Sequence, residues 1–364
     1  MVHFLVLAVC AVAIYLSCEW FVNAVEWLGQ RLDVGKMAVG TILAAFGTAL
    51  PESVVTLVAV TSGGGSEGKE IGVGAAMGGP LALATVAYGV TGVMLYAKRR
   101  QRIGEAAGVS GALSGPGAAR AALTAPVLES KAAVRRLAKD QSWFLPIFVV
   151  KVALGLVAFA VKPALGLVFF AAYAAYFWRE IRSGSADGAD DADDADGADD
   201  AEELEPLKLQ PKVASPATWA VLLQTAATLV VIFFASQLFV HQLDAIGPML
   251  GLSAAVTALL LSPIATELPE IMNAVIWVRQ GKTELALANI SGSMMIQATV
   301  PSGLGLLFTS WHFDGALLWA GVVTMAAIGY LLATLRAGRL TAGRLAASAG
   351  LYGVFAVGLV PILA

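Results

Sequence analysis

The chain is predicted to be an all-α polytopic membrane protein, with ten transmembrane helices in two inverted five-helix repeats. Three observations predict it. Of the 364 residues, 58% are hydrophobic and only 13% charged, with a mean hydropathy of +0.77, too little charge to cover a soluble domain of this size. Ten stretches reach roughly the 20 apolar residues that cross a bilayer. One short acidic motif occurs twice, as Gly47-Thr48-Ala49-Leu50-Pro51-Glu52 and as Ala265-Thr266-Glu267-Leu268-Pro269-Glu270.

The spans are read near 3–28, 37–62, 71–97, 143–161, 163–181, 217–243, 252–278, 284–308, 314–335 and 341–363. The first has no basic segment before its apolar run, so it reads as a retained span rather than a cleaved signal peptide. Its two cysteines, Cys10 and Cys18, lie about 12 Å apart along a helix, beyond the reach of a disulfide. Only Lys162-Pro163 separates the fourth span from the fifth. With ten spans, twenty of the 23 Lys and Arg residues fall on one side, Lys69 and Lys162 on the other, and Lys151 within a span. The rich side is expected in the cytoplasm, with both termini outside an inner or plasma membrane.

Residues 1–97 hold the first three helices and the first motif, and 98–142 form a cytoplasmic basic and flexible loop. Within that loop, 104–126 reads as a flexible Gly/Ala/Ser/Pro linker, and 129–140 as a basic amphipathic helix on the inner leaflet. Helices four and five occupy 143–182, and an acidic cytoplasmic linker covers 183–216. Its run 187–205, nearly all Ala, Asp, Gly and Glu, is too polar to pack and is expected to be disordered. It does not fit a calcium loop: placing Gly197 sixth puts Ala192 first, where a carboxylate is needed. The second repeat, helices six to ten, covers 217–364.

Sliding the chain against itself by 218 residues pairs Phe21-Val22 with Phe239-Val240, Glu26 with Asp244 and Gly29 with Gly247. The same offset pairs Thr48, Leu50, Pro51 and Glu52 with Thr266, Leu268, Pro269 and Glu270. After a small change of loop length, Gly78-Gly79 meets Gly292-Ser293. Five spans per half is an odd number, so the second copy enters the membrane from the opposite side. Secondary transporters are built this way, with the site near the midplane where the repeats meet.

A carboxylate within a span costs several kcal/mol, from about 2.5 upward, and marks an ion or substrate path. Proline has no amide hydrogen, so Pro51 frees the carbonyl of Gly47 and Pro269 that of Ala265. Thr48 and Glu52, like Thr266 and Glu270, are spaced i, i+4 and share a helix face. Two such helices facing each other offer two carboxylates with neutral oxygens, the hard ligand set that suits Ca²⁺ and Na⁺. The chain has no His/Cys cluster for zinc or copper, and no phosphate loop, nucleophile elbow or nucleic-acid module, so neither an enzyme nor a nucleic-acid partner is expected. Glu19, Glu26, Asp244, His3, His241 and His312 fall near span ends and are expected at the interfaces.

These motifs, with Glu19-Trp20-Phe21-Val22 in the first helix, resemble the sodium/calcium exchanger family of the calcium/cation antiporter superfamily, in its prokaryotic form. That family has ten helices in two inverted repeats, each with a Gly-Thr-Ser-Leu-Pro-Glu block followed by a Gly-Asn-x-x-Gly-Ser block. The resemblance implies antiport of Ca²⁺ against Na⁺ by alternating access, both ions bound transiently, with no resident cofactor. It further implies that Glu52 and Glu270 are shared ligands with Thr48 and Thr266 beside them. The carbonyl of Ala45 adds a sodium contact, with Pro263 as its counterpart.

The chain departs from the pattern unevenly. The serine of the first block is Ala49, and that of the second is Glu267, an extra carboxylate i, i+3 from Glu270. The downstream block of the first repeat keeps neither its Asn (Ala75) nor its Ser (Gly79), and four residues on stands Leu83. The second repeat keeps Asn289 and Ser293, with Gln297 where a polar ligand is expected. The first half-site is thus pared down and the second enriched. Three nearby carboxylates repel, so one is expected to hold a proton unless cations fill the site. That leaves two further readings: the same fold coupled to H⁺ or K⁺ or moving another cation, and a degenerate member that does not transport.

Overall fold

A computed structural model describes residues 2–32, 38–62, 66–110, 116–128, 130–158, 161–190, 204–251 and 260–363. Helix α1 (Val2–Arg31) is followed by a π-helical turn, Val39–Ala44, that leads into α2 (Ala45–Ser62). Helix α3 (Ser66–Ala82) passes through a second π segment, Leu83–Ala87, into α4 (Tyr88–Ser110). Helix α5 (Pro116–Thr124) and α6 (Lys131–Gly155) precede a 3₁₀ turn, Lys162–Leu165, and α7 (Gly166–Asp190). The second half holds α8 (Thr218–Met249), α9 (Ser262–Thr266), α10 (Leu268–Gln280), α11 (Thr283–Phe308), α12 (Gly315–Arg336) and α13 (Ala342–Leu363). A helix stands in each of the ten predicted spans. Among the described residues, six are long and apolar enough to cross a membrane unaided, including Val2–Arg31 and Thr218–Gly247. Helix α11 is not one of them. It is buried along most of its length and carries Asn289, Ser291, Ser293, Gln297, Thr299 and Ser302. Surrounding protein, rather than lipid, receives those groups.

Several boundaries differ from expectation. The fourth span starts earlier: α6 is one continuous helix from Lys131, capped by the Ser130 hydroxyl accepting from the Ala133 amide. The predicted surface helix at 129–140 is therefore its first turns, with Leu137 and Asp140 buried. Asp140 binds Arg179 of α7 at 2.7 Å, and Arg179 and Arg136 both bind Glu180. The supposed flexible stretch 104–126 contains the end of α4 and all of α5. The core of the acidic run, 191–203, lies outside the described residues. The end of that linker is docked. Trp27 Nε1 donates to the Glu205 carbonyl at 2.9 Å, and Leu207 is buried against Ala24, Trp27 and Val221. Leu204, Pro206, Leu207 and Leu209 give this end the apolar surface that the Asp/Ala run lacks.

Contacts between the two halves come in exchanged pairs, as an inverted repeat requires. Helix α1 packs on its counterpart α8, and α6 on its counterpart α12. Helix α2 packs on α11, and reciprocally α9 on α3; α7 packs on α11, and reciprocally α13 on α4. Glycine permits the closest of these crossings. A Cβ on Gly78 would stand 2.7 Å from Cγ of Pro263, and one on Gly292 would run into the backbone carbonyl of Thr41. Small residues let membrane helices approach backbone to backbone.

Helices α1 and α8 form one unit. Gln224 Nε2 donates to the Trp20 carbonyl at 2.8 Å and to Asn23 Oδ1 at 3.1 Å, and His3 Nδ1 lies 2.8 Å from Gln242 Oε1. Glu26, expected near a span end, is buried and ties that unit to the rest. Its carboxylate meets Lys282 Nζ at 2.5 Å and accepts from Trp277 Nε1 at 2.8 Å. The side chain of its counterpart, Asp244, lies outside the described residues. Both cysteines are free and buried.

Gly292→Ala is expected to destabilise the protein by about 1–3 kcal/mol, because the Thr41 backbone has to retreat. Gly350→Ala, with nothing within 4 Å of its added Cβ, is expected to be neutral or to stabilise by up to about 1 kcal/mol. Thermal unfolding in detergent compares the two; equal midpoints would contradict the crossing.

Candidate cation site

The two acidic motifs fold differently. In the first repeat the irregularity precedes the motif, as the π turn Val39–Ala44, and α2 runs unbroken through Pro51. In the second repeat the helix breaks inside the motif. Helix α9 ends at Thr266, Glu267 leaves the helix (φ −85°, ψ 6°), and α10 begins at Leu268. Pro269 cannot donate to Ala265, so that rung of the ladder is missing. The Glu267 amide donates back to Pro263 at 3.2 Å, and its carbonyl accepts from Ile271 at 3.1 Å. Glu270 thereby sits in the first turn of α10, where the helix dipole favours negative charge.

Helix α10 and the neighbouring face of α11 bring together a group of buried polar side chains that the protein does not satisfy. Glu270 is fully buried, and both of its carboxylate oxygens lack a hydrogen-bond partner among the described residues. The same holds for both side-chain polar atoms of Asn273, for Asn289 Oδ1 and for the Ser293 hydroxyl; the Ser302 hydroxyl is also unpartnered but stands about 20 Å further along α11 from Asn289. Asn289 Nδ2 leans on the Glu270 carbonyl at 3.4 Å. Across from them the Thr48 hydroxyl, close enough to act on the Glu270 carboxylate, donates to the Ala44 carbonyl at 3.0 Å. Buried polar groups are nearly always hydrogen-bonded, so each orphan calls for an explanation. Carboxylate, amide and hydroxyl oxygens without donors are what a hard cation would coordinate.

Other expected residues stand as follows. Ala45 is buried at the start of α2. Thr266 is half-buried, its hydroxyl donating to Pro263 at 3.1 Å, so the Pro263 carbonyl already accepts two hydrogen bonds. The shared helix face of Thr266 and Glu270 is interrupted by the break at Glu267. Glu52 lies within α2, but its side chain falls outside the described residues. Glu267 is buried, and Gln297 Nε2 donates to both of its oxygens at 2.8 and 2.7 Å. A cavity of about 60 Å³ touches both and is also lined by Thr56, Ser236, Gln237 and Thr266.

Sequence reasoning missed Asn273, Ser302 and Lys151. Asn273 is one turn after Glu270, so helical spacing alone could have found it. Lys151 is fully buried, its ammonium donating to the Ala76 carbonyl at 2.7 Å and lying 4.7 Å from the Phe148 ring centroid. Pro80 explains that contact, because Ala76 is the carbonyl it leaves without an amide partner. No three His, Cys, Asp or Glu side chains cluster among the described residues.

Thermodynamic coupling between Gln297 and Glu267 is expected at about 1.5–3 kcal/mol, the range for hydrogen bonds to a charged group. A double-mutant cycle of Gln297→Leu and Glu267→Ala, followed by unfolding, measures it. Additive effects would contradict the pairing.

Comparison with known proteins gives a consistent picture. A family model described as sodium/calcium exchanger protein matches residues 2–181 and 220–360. The fold is similar to that of the sodium-calcium exchanger NCX_Mj soaked with Na⁺ and Ca²⁺, at a TM-score of 0.69 and 16% identity over 99% of each chain. It is also similar to NCX_Mj soaked with neither ion, at a TM-score of 0.66 and 17% identity over 98% of this chain and 97% of that one. A protein of Alkalimonas amylolytica named as an antiporter, CaxA, is 30% identical over 125 residues. That match covers 34% of this chain and 39% of the relative's length. The structural likeness shows the fold, and the family model spans both halves: the chain belongs to the sodium/calcium exchanger protein family.

Proposed function

We propose that the protein is a secondary active cation antiporter that exchanges Ca²⁺ against Na⁺ by alternating access. The observation that carries this reading is the fully buried Glu270, whose carboxylate oxygens have no hydrogen-bond partner among the described residues and which lies beside Asn289, itself with an unpartnered oxygen. A buried, unpaired charge is strongly destabilising, and a calcium ion brought to it would supply the missing partner. The proposed ligands are Glu52, Glu270, Thr48, Thr266, Ser293 and the Ala45 carbonyl. Asn273 and Asn289 join them as neutral oxygens. The ions are cargo, and no resident cofactor or catalytic step is proposed.

The arrangement also supports a direction of opening. Lys98, Arg279 and Lys282, with most of the other cationic residues, are placed at the cytoplasmic face of an inner or plasma membrane, which leaves both termini outside. On that face Glu26 ties α1 to Lys282 and Trp277, and Arg279 hydrogen-bonds Tyr15 of α1. The cavity beside Glu267 is lined instead by Ser236 and Gln237, in the half of α8 that leads away from that face. The site would then be closed to the cytoplasm and approached from outside, and sliding the α1–α8 unit across the core would reverse this.

Calcium uptake into liposomes driven by an outwardly directed sodium gradient is expected for the intact protein. Glu270→Gln and Glu52→Gln should each reduce it at least about tenfold, a loss of 1.4 kcal/mol or more in the interaction that matters. Near-normal flux in either variant, with unchanged elution in detergent, would contradict the site.

A further inference from the structure

We propose that Glu267, pinned by Gln297 beside Gly79, fills the first half-site from the second repeat and thereby leaves a single cation position, centred on Glu270. This rests on the antiport reading and adds to it the number of cations the site holds. Glu267 and Gln297 are then a plug and its fastener rather than ligands.

The two acids of the second repeat differ in whether their buried oxygens are satisfied. Around Glu270, Asn273, Asn289 and Ser293 the polar atoms are orphaned. Glu267 is the opposite case. Both its oxygens accept from one amide nitrogen, at 2.8 and 2.7 Å. An N–H donor aimed at both oxygens holds the position a cation would need, because a positive hydrogen and a metal ion compete for the same lone pairs. The carboxylate next to Glu270 is therefore already occupied.

Its location accounts for one sequence departure directly. The first repeat keeps Thr48 and Glu52, but three positions whose second-repeat counterparts are polar carry no side-chain oxygen: Ala49 and Leu83 are fully buried and apolar, and Gly79, the one beside Glu267, has no side chain. Glu267 Oε1 lies 2.7 Å from where a Cβ on Gly79 would stand, and Gln297 Oε1 is closer still. A side chain at 79 would require the ends of both Glu267 and Gln297 to shift, so a serine there competes with this placement of the pair. The break between α9 and α10 puts Glu267 in reach, since its backbone has left the helix at that residue. At Gly79 the first half-site has thus exchanged a side-chain oxygen of its own for a carboxylate delivered from the other repeat, and that carboxylate is fastened.

Two intact half-sites would bind more than one monovalent ion cooperatively, whereas one position binds sodium and calcium in simple competition. The experiment is equilibrium binding of radioactive calcium to the purified full chain in detergent, competed with sodium at constant ionic strength. For the unaltered protein a Hill coefficient near one for sodium is expected. The pair Gly79→Ser with Glu267→Ser, which removes the plug and supplies hydroxyls, should raise that coefficient above about 1.5. A coefficient of two or more in the unaltered protein would overturn the inference while leaving the antiport reading in place. That measurement decides the matter even where the double variant does not fold. Absence of any saturable calcium binding by the intact protein would overturn both.

Discussion

An ionisable group buried without a partner is the constraint on which the rest of this structure depends. Glu270 lies at the N-terminal turn of α10, fully buried, with neither carboxylate oxygen hydrogen-bonded to a described residue. The helix dipole offsets part of that charge, by about 0.3–2 kcal/mol, against a desolvation penalty of several kcal/mol. Asn273, Asn289 and Ser293 also carry oxygens without a partner among the described residues, and the proposed cation would satisfy them together with Glu270.

The inverted repeat is what can bury this group. The segments leading into α2 and α10, the π turn and α9, come from opposite halves and approach closely because α3 and α11 are narrow where they cross: Gly78 against Pro263 of α9, Gly292 against Thr41 of the π turn. The symmetry is architectural rather than chemical. In one repeat the helix is loosened before the motif by a π turn, and in the other it is cut within the motif at Glu267. π segments and breaks of this kind favour functional sites, and here they place the two acids of the second repeat differently. Glu270 is left open, and Glu267 is tied to Gln297. The other buried charges among the described residues have partners. Asp140 and Glu180 are held by arginines, Glu26 by Lys282, and Lys151 by the carbonyl that Pro80 releases. The contrast sets Glu270 apart.

Much of this was legible in the sequence. A described helix stands in each of the ten stretches that hydropathy picks out, because crossing a bilayer demands long apolar runs. The 218-residue offset gave the repeat, because Thr-x-Leu-Pro-Glu is rare enough to align two otherwise generic helices. Local packing of long loops was less legible. The segment at 131–140 carries the basic pattern of a surface helix, yet Leu137 and Asp140 are drawn inward by α7, a tertiary contact that periodicity does not encode. The break at Glu267 was also hidden, since Pro51 and Pro269 occupy equivalent positions and only one interrupts its helix. Lys151 read as a stray charge within a span; its meaning depends on Pro80, seventy-one residues away and on another helix.

The central claim is that Glu270 is held in an unsatisfied state that a divalent cation relieves. Thermal unfolding of the purified protein in detergent, with and without calcium, tests it most directly. The account predicts that calcium raises the midpoint of the unaltered protein as its concentration climbs past the dissociation constant. It also predicts that Glu270→Gln raises the calcium-free midpoint, by removing the stranded charge, and abolishes the calcium-dependent shift. A lower calcium-free midpoint in Glu270→Gln together with an unchanged calcium shift would contradict the account.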